Sequence, residues 1–216
     1  MKTFLSIGSG PGNGYATAAR FAREGFQIVL SNRNPAVAQE LADRLKAEGH
    51  PAHVRTVDAS DPESVAGLIA DVQKLFGSID VLHYNAASMR KATLAEQPRD
   101  SFDEDLAVNI GGALVATQAV ARQMSERRSG TILLTGGAYS LAPNPEYISL
   151  SIGKAGIRAL TLGMFKSLKE KGIHIATVTI DGTVTDSREA AAVAEHFWQL
   201  HSQPTDKWTA EVRYSS

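Results

Sequence analysis

The sequence predicts an α/β protein in which one parallel sheet is covered by helices on both faces, and three observations predict it. Short apolar runs recur without polar alternation, the mark of strands buried on both faces. Segments with helical periodicity separate them, so strand and helix alternate along the chain. The first run, Thr3-Phe4-Leu5-Ser6-Ile7, feeds a helix through Gly8-Ser9-Gly10-Pro11-Gly12-Asn13-Gly14, four glycines in seven residues. Right-handed crossovers then give a three-layer, doubly wound sheet of about six to seven strands, with its ligand crevice at their carboxyl ends.

The elements follow in order. The glycine turn opens a helix through Ala16, Ala19, Ala22 and Arg23. Gln27-Ile28-Val29-Leu30-Ser31 is the second strand, closed by the turn Asn32-Arg33-Asn34-Pro35, and the next helix runs through Val37, Leu41 and Leu45 to Gly49. Ala52-His53-Val54-Arg55-Thr56-Val57 is the third strand. Asp61 then caps a helix with Pro62 at its first position, and Val65, Leu68, Ile69, Val72 and Phe76 share its apolar side. Ile79-Asp80-Val81-Leu82-His83-Tyr84 is the fourth strand, followed by a long helix over about 99–127. Thr131-Ile132-Leu133-Leu134-Thr135 is the fifth, a helix over roughly 148–171 follows, and residues 173–180 are the sixth. A last helix over about 188–201 leads to an edge strand at Glu211-Val212-Arg213-Tyr214. No repeat or linker divides residues 1–216, so one domain is expected.

Composition excludes several function classes. The 216 residues are 43% hydrophobic and 21% charged with a net charge of −1, which leaves no basic footprint for nucleic acid. There are no cysteines, hence no disulfide, thiolate metal site or cysteine nucleophile. The histidines have no metal-ligand spacing, and no run approaches a membrane helix. The chain opens on a strand without a signal-like segment, so a cytoplasmic location is expected.

The strand ends carry the chemistry. Gly8, Ser9, Gly10, Gly12, Asn13 and Gly14 let backbone N–H groups approach a pyrophosphate at a helix N-terminus, although a plain strand-to-helix turn would use the same residues. After the second strand an acidic residue would bind a ribose 2′-hydroxyl; here Asn32 and Arg33 stand instead. A guanidinium pairs bidentately with a phosphate, which favours NADP(H) over NAD(H), unless Arg33 only caps a surface turn. Asp58 and Ala59 follow the third strand, positioned for an adenine edge or for a local cap. Asn85, Ala86 and Ala87 follow the fourth, small enough for a cofactor to pass close to the backbone.

Taken together, these residues resemble the short-chain dehydrogenase/reductase family over essentially the whole chain. Gly8, Gly12 and Gly14 match its glycine signature, Tyr84-Asn85-Ala86-Ala87 its Asn-Asn-Ala-Gly, and Asn109 its helical asparagine. The residues from Ala194 to Phe197 and from Trp208 to Val212 resemble its last helix and strand. The resemblance implies a Rossmann fold, a nicotinamide cofactor, a small-molecule carbonyl or alcohol substrate, and a homodimer or homotetramer built on the two long helices.

The catalytic positions depart from the family. Lys154 matches the lysine of its Tyr-x-x-x-Lys, which implies a ribose anchor, but Leu150 stands where the tyrosine would, and Gly137 where the serine would. Leucine cannot transfer a proton. Tyr147, two turns before Lys154 if the helix starts early enough, or Tyr139, after the fifth strand, could replace it, although the favoured reading of each is an aromatic that packs the pocket wall. The family's Pro-Gly after the sixth strand is Asp181-Gly182, and Thr185 or Asp186 falls about where a threonine meets the carboxamide. Val184 lies in the short passage to the last helix, too short for a lid. Two expectations follow: an NADP(H)-dependent oxidoreductase using Asn109, Lys154 and one of the tyrosines, or a module that binds the cofactor as a redox sensor or assembly partner.

Overall fold

The computed structural model describes residues 1–215. Its strands are β1 (Thr3–Ile7), β2 (Gln27–Asn32), β3 (Ala52–Thr56), β4 (Val81–Tyr84), β5 (Gly130–Thr135), β6 (Ile173–Asp181) and β7 (Glu211–Ser215). They form one seven-stranded sheet in the order β3-β2-β1-β4-β5-β6-β7, every neighbouring pair parallel. This is the doubly wound α/β fold that the alternation predicts. The strand order reverses direction between β1 and β4, and that switch point is where such sheets open a crevice.

Alternate residues of each strand feed two cores. Phe4, Ile28, Leu30 and Leu133 pack under α1 (Asn13–Arg23), α2 (Pro35–Ala47) and α7 (Ser187–Ser202). Leu5, Val29, Leu82 and Ile132 pack under α3 (Pro62–Phe76), α5 (Gly112–Arg127) and α6 (Ile148–Glu170). Phe4 and Phe21 stack with centroids 4.5 Å apart, and burying each such ring stabilises by roughly 1.5–3 kcal/mol. Helix starts obey their caps. Asp61 accepts from Glu63 N at 3.0 Å with Pro62 following, as the sequence implies, and Asn34 accepts from Ala36 N at 3.0 Å.

The expected helix over 99–127 starts two residues later and is interrupted. α4 (Ser101–Leu106) passes through a π-helical turn, Ala107–Gly111, into α5. Tyr84 explains the site of the interruption. Its hydroxyl donates to Val108 O at 2.6 Å, and it passes so close to Gly112 that a Cβ there would lie 2.5 Å from the oxygen. The π turn carries Asn109, as such bulges often carry a site residue.

Candidate functional site

The glycine turn is shaped by two different demands. Gly8 has φ +83°, and a Cβ there would lie 2.4 Å from Ala86 N, so the approach of the loop after β4 requires glycine. Gly8 N and Ser9 N both donate to Ser31 O, and Asn32 Nδ2 donates to Ser9 O at 2.8 Å, which pins the turn to the end of β2. Gly10 and Gly12 differ. A Cβ at either would meet no protein atom within 4 Å, and both residues line the crevice. The N-cap Gly12 offers α1 no side-chain acceptor, and its first turn has no acidic residue. Backbone donors at a positive helix end therefore face open space that an anion can occupy.

Asn85 locks the floor. Its Nδ2 donates to Gly8 O at 2.9 Å, and its Oδ1 accepts from the Thr135 hydroxyl at 3.0 Å. Because Thr135 spends its proton on Asn85, it can only accept from His83 Nε2, 3.1 Å away. His83 thus carries its proton on Nε2 and turns Nδ1 towards the Ser6 hydroxyl at 3.5 Å. Burial, then the nearby Lys154 charge, pushes the His83 pKa down to about 3 and keeps the ring neutral. A strand of apolar neighbours gave no reason to single out His83; its role is to hold Thr135 and, through it, Asn85.

Two neighbouring chambers lie along the carboxyl ends of the strands and share part of their wall. The first, about 350 Å³, is lined by Gly8, Asn32, Arg33, Asp58 and Ala59 among others. The second, about 530 Å³, is lined by Gly10, Gly12, Asn13, Gly14, Tyr139, Lys154, Gly182 and Val184 among others. Asn85, Ala87 and Met89 line both. Met89, Glu104, Thr135 and Leu150 were not singled out as binding residues from the sequence. Met89 had a signal, being two residues beyond Ala87, whereas Glu104 lies on α4 with nothing local to mark it.

In the first chamber Arg33 is exposed, and its Nη1 lies 3.8 Å from Glu104 Oε1. Asp58 accepts from both the hydroxyl and the N–H of Ser60 on Oδ1. Those bonds hold its carboxyl below the usual range, with Arg33 adding a smaller pull and burial opposing.

In the second chamber Lys154 Nζ donates to Thr135 O at 2.7 Å, and burial lowers its pKa to about 8. Leu150 lies one turn before it in the same wall and is 5% exposed. Tyr139 reaches this chamber, its hydroxyl accepting from Asn144 Nδ2 at 3.3 Å. α6 starts at Ile148, with Tyr147 as a non-helical N-cap, so the two-turn spacing to Lys154 does not extend to Tyr147. Tyr147 instead stacks on Tyr139 with centroids 5.7 Å apart.

Asn109 sits behind the wall rather than in it. Its side-chain amide accepts from Ser88 N at 2.7 Å and donates to Ser88 O at 3.1 Å, and it packs where a Cβ on Gly153 would be. One turn earlier, the buried carboxylate of Asp105 takes the Ser88 hydroxyl, Arg90, Gln97 and Ser149. Together these two residues fix the loop after β4 to α6.

Thr185 and Asp186 do not meet the crevice, which corrects the sequence expectation. Thr185 gives its N–H and hydroxyl to Glu189, and Asp186 caps α7 by accepting from Arg188 N and Glu189 N at 2.8 Å. Thr183 and Val184 line the chamber in their place. Gly182, at φ +108°, makes the turn out of β6.

The open space beside Gly10 and Gly12, the free helix end and the two chambers fit a dinucleotide. Among the described residues no His/Cys/Asp/Glu group fit to hold a metal occurs, and no helix is long and apolar enough to cross a membrane. A family model described as short chain dehydrogenase matches residues 2–195. The chain is 28% identical over 206 residues to gluconate 5-dehydrogenase of Gluconobacter oxydans, covering 94% of this chain and 80% of the relative. A short-chain dehydrogenase crystal structure from Rhodopseudomonas palustris superposes with a TM-score of 0.90 at 27% identity, covering 99% and 97% of the two chains. A metagenomic short-chain oxidoreductase in complex with NADP has a TM-score of 0.91 at 20% identity, covering 99% and 96%, a likeness of fold.

Proposed function

The chain belongs to the short-chain dehydrogenase/reductase family of oxidoreductases, and we propose that it is an NADP(H)-dependent member acting on a carbonyl or alcohol. The observation that carries this reading is the pair of cavities sharing Asn85, Ala87 and Met89, one lined by Arg33 and the other by Lys154. Backbone donors of the glycine turn would hold the pyrophosphate. Asp58 and Ala59 would flank the adenine, and Arg33 would pair with a 2′-phosphate. Asn85, Ala86 and Ala87 would let the cofactor cross the switch point, and Gly182 and Val184 would cover its far end. When bound, the nicotinamide supplies or accepts a hydride.

The protein's own part is anchoring and the proton. Lys154 would hold the ribose, with Asn109 supporting it indirectly by packing on the neighbouring Gly153. Tyr139 is the proposed proton donor because it lines the chamber and Tyr147 holds its ring by stacking. A second reading, a module that binds the cofactor without turnover, is favoured by one observation: the hydrogen bond of Lys154 goes to Thr135 O and not to a phenol. The separating experiment is calorimetric titration with NADPH and NADH, followed by a carbonyl panel with Tyr139→Phe alongside. Tight NADPH binding and turnover lost in Tyr139→Phe support the enzyme; tight binding without turnover supports the module; no binding refutes both.

We also propose a homodimer or homotetramer. Leu114 on α5 and Ile152, Leu162 and Met164 on α6 are exposed apolar side chains on the two helices. A monomeric mass by light scattering would refute it.

A further inference from the structure

Arg33 and Glu104 reach the first chamber from different elements, one just after the end of β2 and the other from α4. Both line it, and their charged ends meet at 3.8 Å. That distance is an ion pair without a hydrogen bond, so it is loose and readily exchanged. Each side chain is more than half exposed, at 72% and 56%. Among the described residues neither has a second ion-pair partner within 4 Å, and the Glu104 charge acts on Arg90 only from farther off. The other carboxylate near Arg33, Asp58, bonds Ser60 through Oδ1 and draws on Arg33 by charge alone, more weakly than it is held by Ser60.

We propose that Glu104 is a specificity-determining residue: it competes with a cofactor 2′-phosphate for Arg33 and so narrows the preference for NADPH over NADH. The proposal rests on the reading of Arg33 as the phosphate contact. A phosphate drawn to Arg33 comes well within a Debye length, about 8 Å at physiological salt, of the Glu104 carboxylate. Two effects then act against it in the same direction: like-charge repulsion, and the loss of the existing pair. NADH carries a hydroxyl at that position and experiences neither. Glu104 therefore weakens one cofactor selectively, although it would contact neither the pyrophosphate nor the nicotinamide.

The test is calorimetric titration of NADPH and NADH into the full chain, its E104Q variant and its R33A variant, at roughly 50 mM and roughly 500 mM salt. Glu104 is exposed, so E104Q should keep the parent melting temperature. E104Q is expected to tighten NADPH about fivefold at low salt while NADH changes less than twofold, and the gain should shrink at high salt. A ratio of the two dissociation constants unchanged within about twofold, or equal tightening of both cofactors, overturns the assignment of Glu104. R33A decides the underlying reading separately. If R33A leaves NADPH affinity intact, Arg33 is not the phosphate contact. If R33A abolishes the preference and E104Q leaves it unchanged, only Glu104 is wrongly assigned.

Discussion

The Lys154 ammonium donates to the carbonyl oxygen of Thr135 at 2.7 Å, so the lysine of the second chamber is tied to the last residue of β5 and not to a phenol. Thr135 uses its other end, the hydroxyl, to hold Asn85. The same residue thus couples the lysine to the floor of the cofactor crevice. This geometry preserves the anchoring role of Lys154 while leaving proton transfer to whatever hydroxyl can reach it.

The first prediction concerns the two replaced positions. A Cβ on Gly137 would sit 3.5 Å from Lys154 Cγ, an ordinary contact, so a serine fits there without moving the lysine. Leu150 already lines the chamber one turn before Lys154, so a tyrosine in its place would bring a hydroxyl to the lysine's side. The double variant Leu150→Tyr/Gly137→Ser should raise kcat/KM for carbonyl reduction by roughly a hundredfold, the scale of a positioned proton donor. Steady-state kinetics with the best substrate of a carbonyl panel measure it. Unchanged kinetics with intact cofactor affinity would mean that proton delivery is not what limits the native chain.

Buried titratable groups predict how stability follows pH. Burial takes Lys154 from an ordinary 10.5 down to about 8. Between those values the unfolded chain binds this proton and the folded chain does not, so the contribution of Lys154 to stability rises with pH from about 8 to 10.5. His83 falls from 6.5 to about 3 by burial, so the unfolded chain takes up its proton first and stability drops as pH falls through that window. Lys154→Met should flatten the alkaline rise and His83→Gln the acid fall. Urea unfolding of each variant and the parent across the pH range gives the slopes.

Much of this crevice was legible because its residues act over short sequence distances. Gly8 to Gly14 and Asn85 to Ala87 lie in short local patterns, whereas Lys154 is marked only by the family resemblance, its tyrosine partner being Leu150. Other parts are products of the fold. The Arg33–Glu104 pair joins two strand-end regions far apart in sequence, and no periodicity records it. The π turn at Ala107–Gly111 is set by Tyr84 pressing on Gly112, again across elements. The roles of Thr185 and Asp186 do have a local signal. Asp186 followed by a helix, with Glu189 three residues on, is a capping pattern, and backbone donors at a helix start claim such side chains first.

The third prediction tests the buried carboxylate behind the wall. The Asp105 side chain is 1% exposed and accepts from Ser88, Arg90, Gln97 and Ser149. Asp105→Ala would leave several of these donors unpaired, and each buried orphan costs about 1–3 kcal/mol. A loss of roughly 3 kcal/mol in urea unfolding is expected, less than the plain sum because Arg90 can turn to water. Cofactor affinity should fall as well, since Ser88 lines the first chamber. A variant as stable as the parent would show that the cluster is not what holds the loop after β4 to α6.

The last prediction separates what the glycine turn does for folding from what it does for binding. At Gly8 a side chain meets Ala86 N at 2.4 Å and a φ of +83°, both intolerant of a Cβ. Gly8→Ala should therefore cost roughly 2–4 kcal/mol, and the melting temperature should drop accordingly. At Gly10 a side chain meets no protein atom within 4 Å, so the fold has no objection to one. Gly10 lines the crevice beside the α1 N-terminus, where the pyrophosphate is proposed to lie, so added atoms there are expected to compete with it. Gly10→Val should keep the parent melting temperature within a few degrees and weaken NADPH at least tenfold, as read by calorimetry and by the loss of thermal stabilisation on adding cofactor. If Gly10→Val binds NADPH as the parent does, the phosphates do not lie against this turn. The placement of the cofactor along the carboxyl ends of β1 and β4 would then have to be redrawn.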